Sequence, residues 1–361
     1  MRTFDYAKLP QKLLTGALGD ANARLFEDRG KLHFLKQLQP DLLEELGARA
    51  FFDNVDASAH IDGIYVDAAR VAALLDGDLP LGETESQIAG YAAALRHIEA
   101  DADAFDLTTA SILRLYETLY AHRNLGTRSR YRKKDYQYVQ VDGHVQAMPV
   151  SPITAFETPL VLGGACDSLA SAFRTDGFNA VVLNAVFTVD FLCIRPFEEG
   201  NGRIARLFAL LLLEKAGFDM FRYLSIDRII EQSAMDYYDA LNACVEKWDR
   251  GFNTYEPFVA YWLDVVHRAY AQLFALVDAR LAGAGAKSER VRAFALNAQG
   301  AVSKREILAA LPDVSEATVE ATLGKMVKEG SLERVGGGRS SAYRRKSEGR
   351  APEGTRPDVE P

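Results

Sequence analysis

The stretch Ile194-Arg195-Pro196-Phe197-Glu198-Glu199-Gly200-Asn201-Gly202-Arg203-Ile204-Ala205-Arg206 places a polar loop between two strongly apolar segments. Residues 179–193 before it and residues 204–216 after it are apolar nearly all round, which predicts two helices buried in the core. Gly200-Asn201-Gly202 supplies permissive backbone where the second helix begins. The free N–H groups and the dipole of a helix N-terminus attract anions, so the loop predicts an anion site.

Charged side chains surround this predicted anion site. Arg203 and Arg206 are three residues apart and share a face of the first helical turn, although two cations oppose the helix dipole there. A bound phosphate would compensate for them. Glu199 lies beside the glycines, where its carboxylate could hold a magnesium ion that bridges phosphates. The alternative is a glycine turn whose arginines pair with carboxylates elsewhere in the chain.

The stretch resembles the central motif of Fic-domain (Fido) proteins, His-Pro-Phe-x-(Asp/Glu)-Gly-Asn-Gly-Arg-x-x-Arg. All fixed positions match except the first, where Arg195 stands in place of histidine. The resemblance implies a mainly α fold, in which a Fic-type helical core carries a β-hairpin flap. Fic enzymes typically transfer AMP from ATP to a hydroxyl of a target protein, so the resemblance also implies ATP and Mg²⁺ as cofactors.

The resemblance assigns roles to individual residues. The implied nucleotide-binding positions are Gly200, Asn201, Gly202, Arg203, Arg206 and Tyr238. Tyr238 is included because the family faces the corresponding helix towards the base of the nucleotide. The implied catalytic positions are Arg195, Asn201 and Arg203, and Glu199 takes the magnesium position.

Arg195 changes the expected chemistry, because the family's histidine is the general base and arginine stays protonated at physiological pH. A well-placed base contributes typically 10²–10⁴-fold to rate. We therefore expect ATP or ADP binding with sharply reduced transfer. Two functions stay open, an attenuated or inactive protein adenylyltransferase and a non-catalytic nucleotide-binding regulator. His144 is the only histidine that we consider a spatial candidate for a replacement base.

Residues 51–64 have the pattern of a helix that ends at Gly63, a common C-terminal cap. Many Fic proteins carry an inhibitory helix with the motif Ser/Thr-x-x-x-Glu-Gly/Asn, and Ser58 to Gly63 resembles it, with Asp62 in place of glutamate. The resemblance implies an autoinhibitory Asp62–Arg206 contact that blocks the site of a γ-phosphate. Because aspartate is one methylene shorter, a looser or water-mediated contact is the alternative to a direct one.

Residues 138–146 alternate around Asp142-Gly143, which predicts a β-hairpin. The resemblance implies that this hairpin is the flap on which a target protein docks, and the alternative is a surface hairpin without a ligand. The basic run Arg130–Lys134 just before it has the composition of a solvated surface.

The C-terminal part of the chain has a different character. After a predicted small-residue linker at residues 282–286, three helical patterns and a glycine-tipped hairpin resemble a winged helix-turn-helix, a small α/β domain. Residues 287–346 contain twelve basic and seven acidic residues, a net charge of +5, which leaves −13 on the remainder of a chain with −8 overall. This asymmetry predicts DNA binding through residues 286–346, and protein–protein contact is the alternative.

These patterns give an expected domain organisation. Residues 1–100 form an N-terminal helical region that includes the inhibitory-like segment 58–63, and residues 101–282 form the Fic core with a long amphipathic connector helix over 258–281. The winged helix spans 286–346, and residues 347–361 have the composition of a disordered tail. The connector helix is also a candidate homodimer surface.

The composition indicates a globular protein of a reducing compartment. Hydrophobic residues make up 48% of the 361 residues, and the three cysteines have no paired spacing that would predict a disulfide framework or a zinc site. The sequence shows neither a signal-peptide pattern nor an apolar run of membrane-spanning length. We therefore expect a cytoplasmic protein without membrane contact.

Overall fold

The computed structural model describes residues 2–122, 131–135, 138–141, 144–147, 153–175, 179–298, 300–336 and 342–346, and of residues 138–141, 144–147 and 282–286 it describes the backbone alone. Several predicted features therefore lie outside the described residues: the Asp142-Gly143 turn, the His144 side chain, most of the C-terminal glycine tip, and the tail 347–361. The chain divides into two compact units, residues 1–274 and residues 275–361.

Where the structure describes the first unit, its regular elements are helices and one hairpin. Its helices are α1 (Leu9–Leu13), α2 (Ala17–Leu38), α3 (Pro40–Ile61), α4 (Ala68–Leu75), α5 (Gly82–Ala100), α6 (Thr109–Leu119), α7 (Thr158–Thr175), α8 (Ala180–Ile194), α9 (Asn201–Lys215), α10 (Ile226–Gln232), α11 (Ala234–Val245) and the first part of α12 (Glu256–Asn297). The predicted mainly α class is confirmed. Within the described residues, no helix combines the length and the apolar character that crossing a bilayer requires.

Helices α8 and α9 form the centre of the first unit. Every residue of α8 except Leu192 is buried, as its apolar pattern on all faces predicts. Helix α8 packs between α7 and α9, and α9 also contacts α5 and α6. The buried Asn184 side chain donates to the carbonyl of Ala209 at 2.8 Å, which fixes the register of α8 against α9. The loop between these helices is therefore held by the core on both sides.

Local signals in the sequence place several helix ends correctly. Pro40 is the first residue of α3, and Gly63 adopts φ 74° just after the end of that helix. Thr108 caps α6 by accepting a hydrogen bond from the N–H of Ser111. The predicted hairpin consists of the antiparallel strands β1 (Tyr138–Val141) and β2 (His144–Ala147), with Tyr138 opposite Ala147.

The second unit contains the remainder of α12, β3 (Val302–Ser303), α13 (Lys304–Ala310), α14 (Glu316–Lys328), β4 (Leu332–Val335) and β5 (Ala342–Arg345). The three strands form an antiparallel sheet in the order β3–β5–β4, and its core includes Val291, Ile307, Leu323 and Leu332. The predicted linker at 282–286 is wrong, because α12 continues through it as helix. Three of its five residues are alanine, the strongest helix former, and they outweigh the two glycines.

Two helical glycines give a matched test of this packing. A Cβ at Gly90 in α5 would overlap the backbone carbonyl of Leu119 in α6, whereas a Cβ at Gly30 in α2 would meet nothing within 4 Å. We expect Gly90→Ala to lower the free energy of unfolding by about 3 kcal/mol, because backbone atoms must move apart. Gly30→Ala should raise it by up to about 1 kcal/mol through helix propensity. Urea denaturation measures both, and equal effects would contradict the close α5–α6 approach.

Candidate active site

The loop between α8 and α9 is closed by one side chain. Asn201 accepts a hydrogen bond from the N–H of Phe197 at 3.0 Å and donates to the carbonyl of the same residue at 2.9 Å. Arg195 ends α8 in the left-handed conformation, with φ 46°, and Gly200 begins α9 with φ 76°. The Asn201 amide therefore holds the loop in a fixed shape between two backbone reversals.

Two aromatic side chains, Tyr116 in α6 and Tyr120 at the C-terminal end of α6, pack against this loop. The buried Phe197 ring stacks on Tyr116 at 4.0 Å between ring centroids. A Cβ on Gly200 would lie 2.5 Å from the hydroxyl oxygen of Tyr120, so no larger residue fits there without displacing the tyrosine. Position 200 thus requires glycine for two reasons, its positive φ and the close approach of the Tyr120 hydroxyl.

Arg132 is a buried residue that contacts this loop from the segment before the hairpin. The sequence did not indicate it, because its basic neighbourhood predicted a solvated surface. Its side chain is fully buried, and its Nε donates to the carbonyl of Arg195 at 2.9 Å. Its N–H donates to the carbonyl of Pro196 at 2.9 Å, and its guanidinium also donates to Ile153. Arg132 therefore ties the loop to the segments on both sides of the hairpin.

Two arginines from the first turns of α9 converge on one carboxylate. Asp62 Oδ2 lies 2.8 Å from Arg203 Nε, and Asp62 Oδ1 lies 2.9 Å from Arg206 Nη2. Both arginine side chains are buried, whereas the Asp62 side chain is 22% exposed. Asp62 Oδ1 also lies 3.5 Å from the position of a Cβ on Gly202, so the carboxylate lies at the N-terminal end of α9. The Asp62–Arg206 contact that the resemblance implies is thus present, and it is direct.

Ser58, the first residue of the inhibitory-like segment, also contacts Arg206. Arg206 Nε donates to Ser58 Oγ at 3.0 Å, and Arg206 Nη2 donates to the Ser58 carbonyl at 3.0 Å. Gly63 makes the turn directly after Asp62 with φ 74°. Ser58, Asp62 and Gly63 therefore act together at the end of α3, where they bring one carboxylate to the mouth of α9.

Asp227 in α10 is a further acid of this region that the motif comparison did not identify. It is fully buried and accepts a hydrogen bond from the Tyr91 hydroxyl. Burial raises the pKa of Asp227 to about 6, an effect that the charge of Arg206 partly offsets. Burial would lower the pKa of Arg206, but the charges of Asp62 and Asp227 outweigh it and raise that pKa. Arg206 is therefore a permanent cation between two acids.

The structure also describes the remaining predicted residues, Tyr238 and Glu199. Tyr237 is buried and the adjacent Tyr238 is half-buried. Adjacent residues of a helix point in different directions, so this difference in burial is expected. Burial raises the pKa of Tyr237 and the charge of Arg206 lowers it, which places Tyr237 in the electrostatic range of the site. Glu199 is half-buried beside Gly200. In the described part of the chain, no group of three acidic, histidine or cysteine side chains is arranged to hold a metal.

The part of the chain that holds this site matches a known protein family. Residues 106–213, which include the loop and its two helices, match the Fic/DOC family. The chain contains a Fic/DOC domain. Proteins with this domain generally transfer AMP or other nucleotide-derived groups to their targets. A search of curated proteins gave no significant match.

Solved Fic structures share the fold at low sequence identity. A Fic family protein from Desulfovibrio desulfuricans is 20% identical, with 91% of this chain and 97% of that chain aligned at a TM-score of 0.58. A Fic domain containing signaling protein from Bacteroides thetaiotaomicron is also 20% identical, over 70% of this chain and 96% of that one, with a TM-score of 0.55. Fic-1 from C. elegans is 18% identical over 75% and 76% of the two chains, with a TM-score of 0.55. The Fic/DOC domain of this chain thus has the fold of known Fic proteins.

The raised pKa of Asp227 predicts a pH-dependent stability. Because its folded-state pKa of about 6 exceeds the ordinary value of 3.8, the folded state binds the proton more tightly than the unfolded chain. The free energy of unfolding should therefore fall as pH rises from about 4 to about 6, by on the order of 3 kcal/mol, and stay level above that range. Asp227→Asn should remove this decline.

Urea denaturation at several pH values between 4 and 7 measures the effect. Asp236→Asn, which removes an exposed carboxylate of α11, is the matched control and should keep the decline of the original chain. Parallel pH profiles for the original chain and Asp227→Asn would contradict the assignment.

Proposed function

We propose that the mouth of α9 binds the phosphates of ATP and that the chain is a protein adenylyltransferase attenuated at its general-base position. The observation that carries this proposal is the convergence of two buried arginines on one carboxylate at a helix N-terminus. A carboxylate is an anion with two oxygens, and Asp62 occupies the position where a phosphate group would gain the same charges and the same helix dipole.

Arg203 has further binding capacity for a phosphate. Its Nη2 donates to the Tyr120 hydroxyl at 3.2 Å, which orients the guanidinium. Its buried Nη1 makes no hydrogen bond to any described residue. An unsatisfied buried donor on a cation is costly, and a phosphate oxygen would satisfy it.

The same site suits a magnesium-bound nucleotide. Mg²⁺ in nucleotide sites is held by one or two carboxylates together with phosphates and water, so the single carboxylate of Glu199 beside the glycine turn fits this role. When bound, Mg²⁺ would neutralise charge on the phosphates. The backbone of Gly200, Asn201 and Gly202 at the start of α9, which we call the nest, would surround the phosphates, and Tyr238 is our candidate contact for the base of the nucleotide.

In the proposed reaction, a hydroxyl of a target protein docked along the 138–146 hairpin attacks the α-phosphorus of ATP. The new O–P bond joins AMP to the target, the bond to the β-phosphate breaks so that pyrophosphate leaves, and the hydroxyl proton is lost to solvent. Arg203 stabilises the charge that develops on the phosphate oxygens, and Asn201 keeps the loop in its shape. Arg195 occupies the base position of the family motif, where a guanidinium cannot accept the hydroxyl proton. The site therefore binds its nucleotide and lacks the group that would speed the transfer.

Asp62 competes with ATP in this proposal, so removing it should favour nucleotide binding. Asp62→Ala should leave the two buried arginines without their shared anion and lower the melting temperature of the free protein. Mg-ATP should then bind about tenfold more tightly than to the original chain, and raise the melting temperature further.

Calorimetric titration and thermal denaturation with and without Mg-ATP measure both effects. Glu44→Ala removes an exposed carboxylate of α3, the helix that Asp62 follows, and should bind ATP like the original chain. Equal affinities for Asp62→Ala and Glu44→Ala would rule out the competition.

Arg195→His should restore transfer, because an imidazole can accept the proton and a left-handed backbone tolerates histidine. Measured with ATP labelled at the α-phosphate in the Asp62→Ala background, incorporation into protein should rise roughly 10²–10⁴-fold. Arg195→Ala in the same background is the control for simple loss of the guanidinium and should stay inactive. An Arg195→His protein that transfers no faster than Arg195→Ala would contradict the proposal.

The alternative function is a non-catalytic, nucleotide-binding regulator that acts on DNA through the C-terminal unit. The helix and strand order of that unit and its basic sequence support a winged helix. Ion pairs neutralise part of the charge, since Lys304 pairs with Glu320 and Arg344 pairs with Glu333 at 2.6 Å. Restoration of transfer by Arg195→His would favour the enzyme, and binding of ATP without any transfer would favour the regulator.

A further inference from the structure

A further buried charge lies in the first unit, apart from the Asp62 contact. Asp190 in the middle of α8 is completely buried, and three aromatic side chains donate to its carboxylate. The Tyr6 hydroxyl donates at 2.6 Å, Trp248 Nε1 at 2.6 Å and the Tyr255 hydroxyl at 2.8 Å. An isolated carboxylate at this depth needs a counter-charge as well as hydrogen bonds.

Arg2 supplies that counter-charge. Its Nη2 lies 3.3 Å from Asp190 Oδ1 and donates to Asn253 Oδ1 at 2.9 Å and to the Tyr255 hydroxyl oxygen, while Nη1 donates to the carbonyl of Trp248. The guanidinium carbon lies 4.5 Å from the centre of the Trp248 ring. We call Asp190, Trp248, Asn253 and Tyr255 the guanidinium cage.

The geometry of the cage selects a guanidinium rather than an ammonium. Acceptors surround two different nitrogens of one planar group, and an indole ring supplies a cation–π contact to it. An ammonium is a point charge, which cannot donate from two separated nitrogens at once. The cage therefore recognises an arginine side chain by shape as well as by charge.

The segment that carries Arg2 buries few of its residues. Residues 2–8, which we call the strap, contain no α-helix, and Tyr6 is the only one of them that is fully buried. The N–H of Tyr6 donates to Ser168 Oγ at 3.1 Å in α7, and its hydroxyl shares Asp190 with Arg2. Thr3, Asp5, Ala7 and Lys8 are exposed, and a segment with few buried side chains opens at lower free energy than the helical core.

We propose that the cage is a guanidinium-binding site that Arg2 fills from within the chain and that accepts an external guanidinium, such as an arginine side chain of another polypeptide, when the strap is released. Asp190 lies in α8 five residues before Arg195. Occupancy of the cage therefore also fixes the helix from which the 195–202 loop extends. This proposal does not depend on nucleotide binding or transfer.

Chemical rescue of the full-length Arg2→Ala variant tests the proposal. The variant should melt several degrees below the original chain, because Asp190 loses its counter-charge. Methylguanidinium should restore the melting temperature saturably, while methylammonium at the same ionic strength should restore far less. Arg24→Ala, which removes an exposed arginine of α2, should keep the melting temperature of the original chain, and methylguanidinium should not change it. The double variant Arg2→Ala/Asp190→Asn should not respond to methylguanidinium.

Hydrogen exchange gives a second readout. In Arg2→Ala, amides of α8 and of the 195–202 loop should exchange faster and recover their protection with methylguanidinium, while amides of α14 serve as an unchanged reference. An unaltered melting temperature, or an equal response of Arg2→Ala and the original chain to methylguanidinium, would overturn the proposal. If Arg2→Ala does not fold alone, it should refold from urea in the presence of methylguanidinium but not in the presence of methylammonium. Failure to refold with either compound would also overturn the proposal.

Discussion

The carboxylate of Asp62, shared by Arg203 and Arg206, is the contact on which the architecture of the site depends. Two guanidinium groups buried at the positive end of a helix are unfavourable, and a common counter-ion offsets both their desolvation and the helix dipole. Because Asp62 follows α3 directly, this requirement also fixes where α3 ends against α9. Arg206 extends the network inward through Asp227 and Tyr91, so the anion site is connected to the core by buried charge.

Helices α8 and α9 each have a charged site that the chain fills itself. At the start of α9 a cationic nest holds the chain's own carboxylate, and in the middle of α8 an acidic cage holds the chain's own guanidinium. Both arrangements follow from the cost of burying an uncompensated charge. They differ in access, because Asp62 is partly exposed whereas Asp190 is fully enclosed. In the proposed function a nucleotide would replace Asp62 directly, whereas in the proposed cage an external guanidinium would replace Arg2 only after the strap moves.

In the proposed function, the loop keeps its shape while Arg195 removes proton acceptance from the base position of the motif. The backbone of Arg195 ends α8 in the left-handed conformation, and its carbonyl accepts a hydrogen bond from Arg132. Neither feature depends on the identity of the side chain at position 195, so the loop geometry is compatible with histidine or arginine. What differs is proton acceptance, which an imidazole provides near neutral pH and a guanidinium does not.

The sequence by itself determined the helical class, the buried pair α8 and α9, the hairpin strands and the nest between the central helices, because these follow from local periodicity, turn residues and a contiguous motif. The tertiary structure alone decided which charges are buried and with which partners. Arg132 looked like part of a solvated basic run, Asp190 and Asp227 were single acids within helices, and residues 282–286 looked like a linker. Arg2 and Asp190 are 188 residues apart, and no local pattern records a contact made by chain segments so distant from each other.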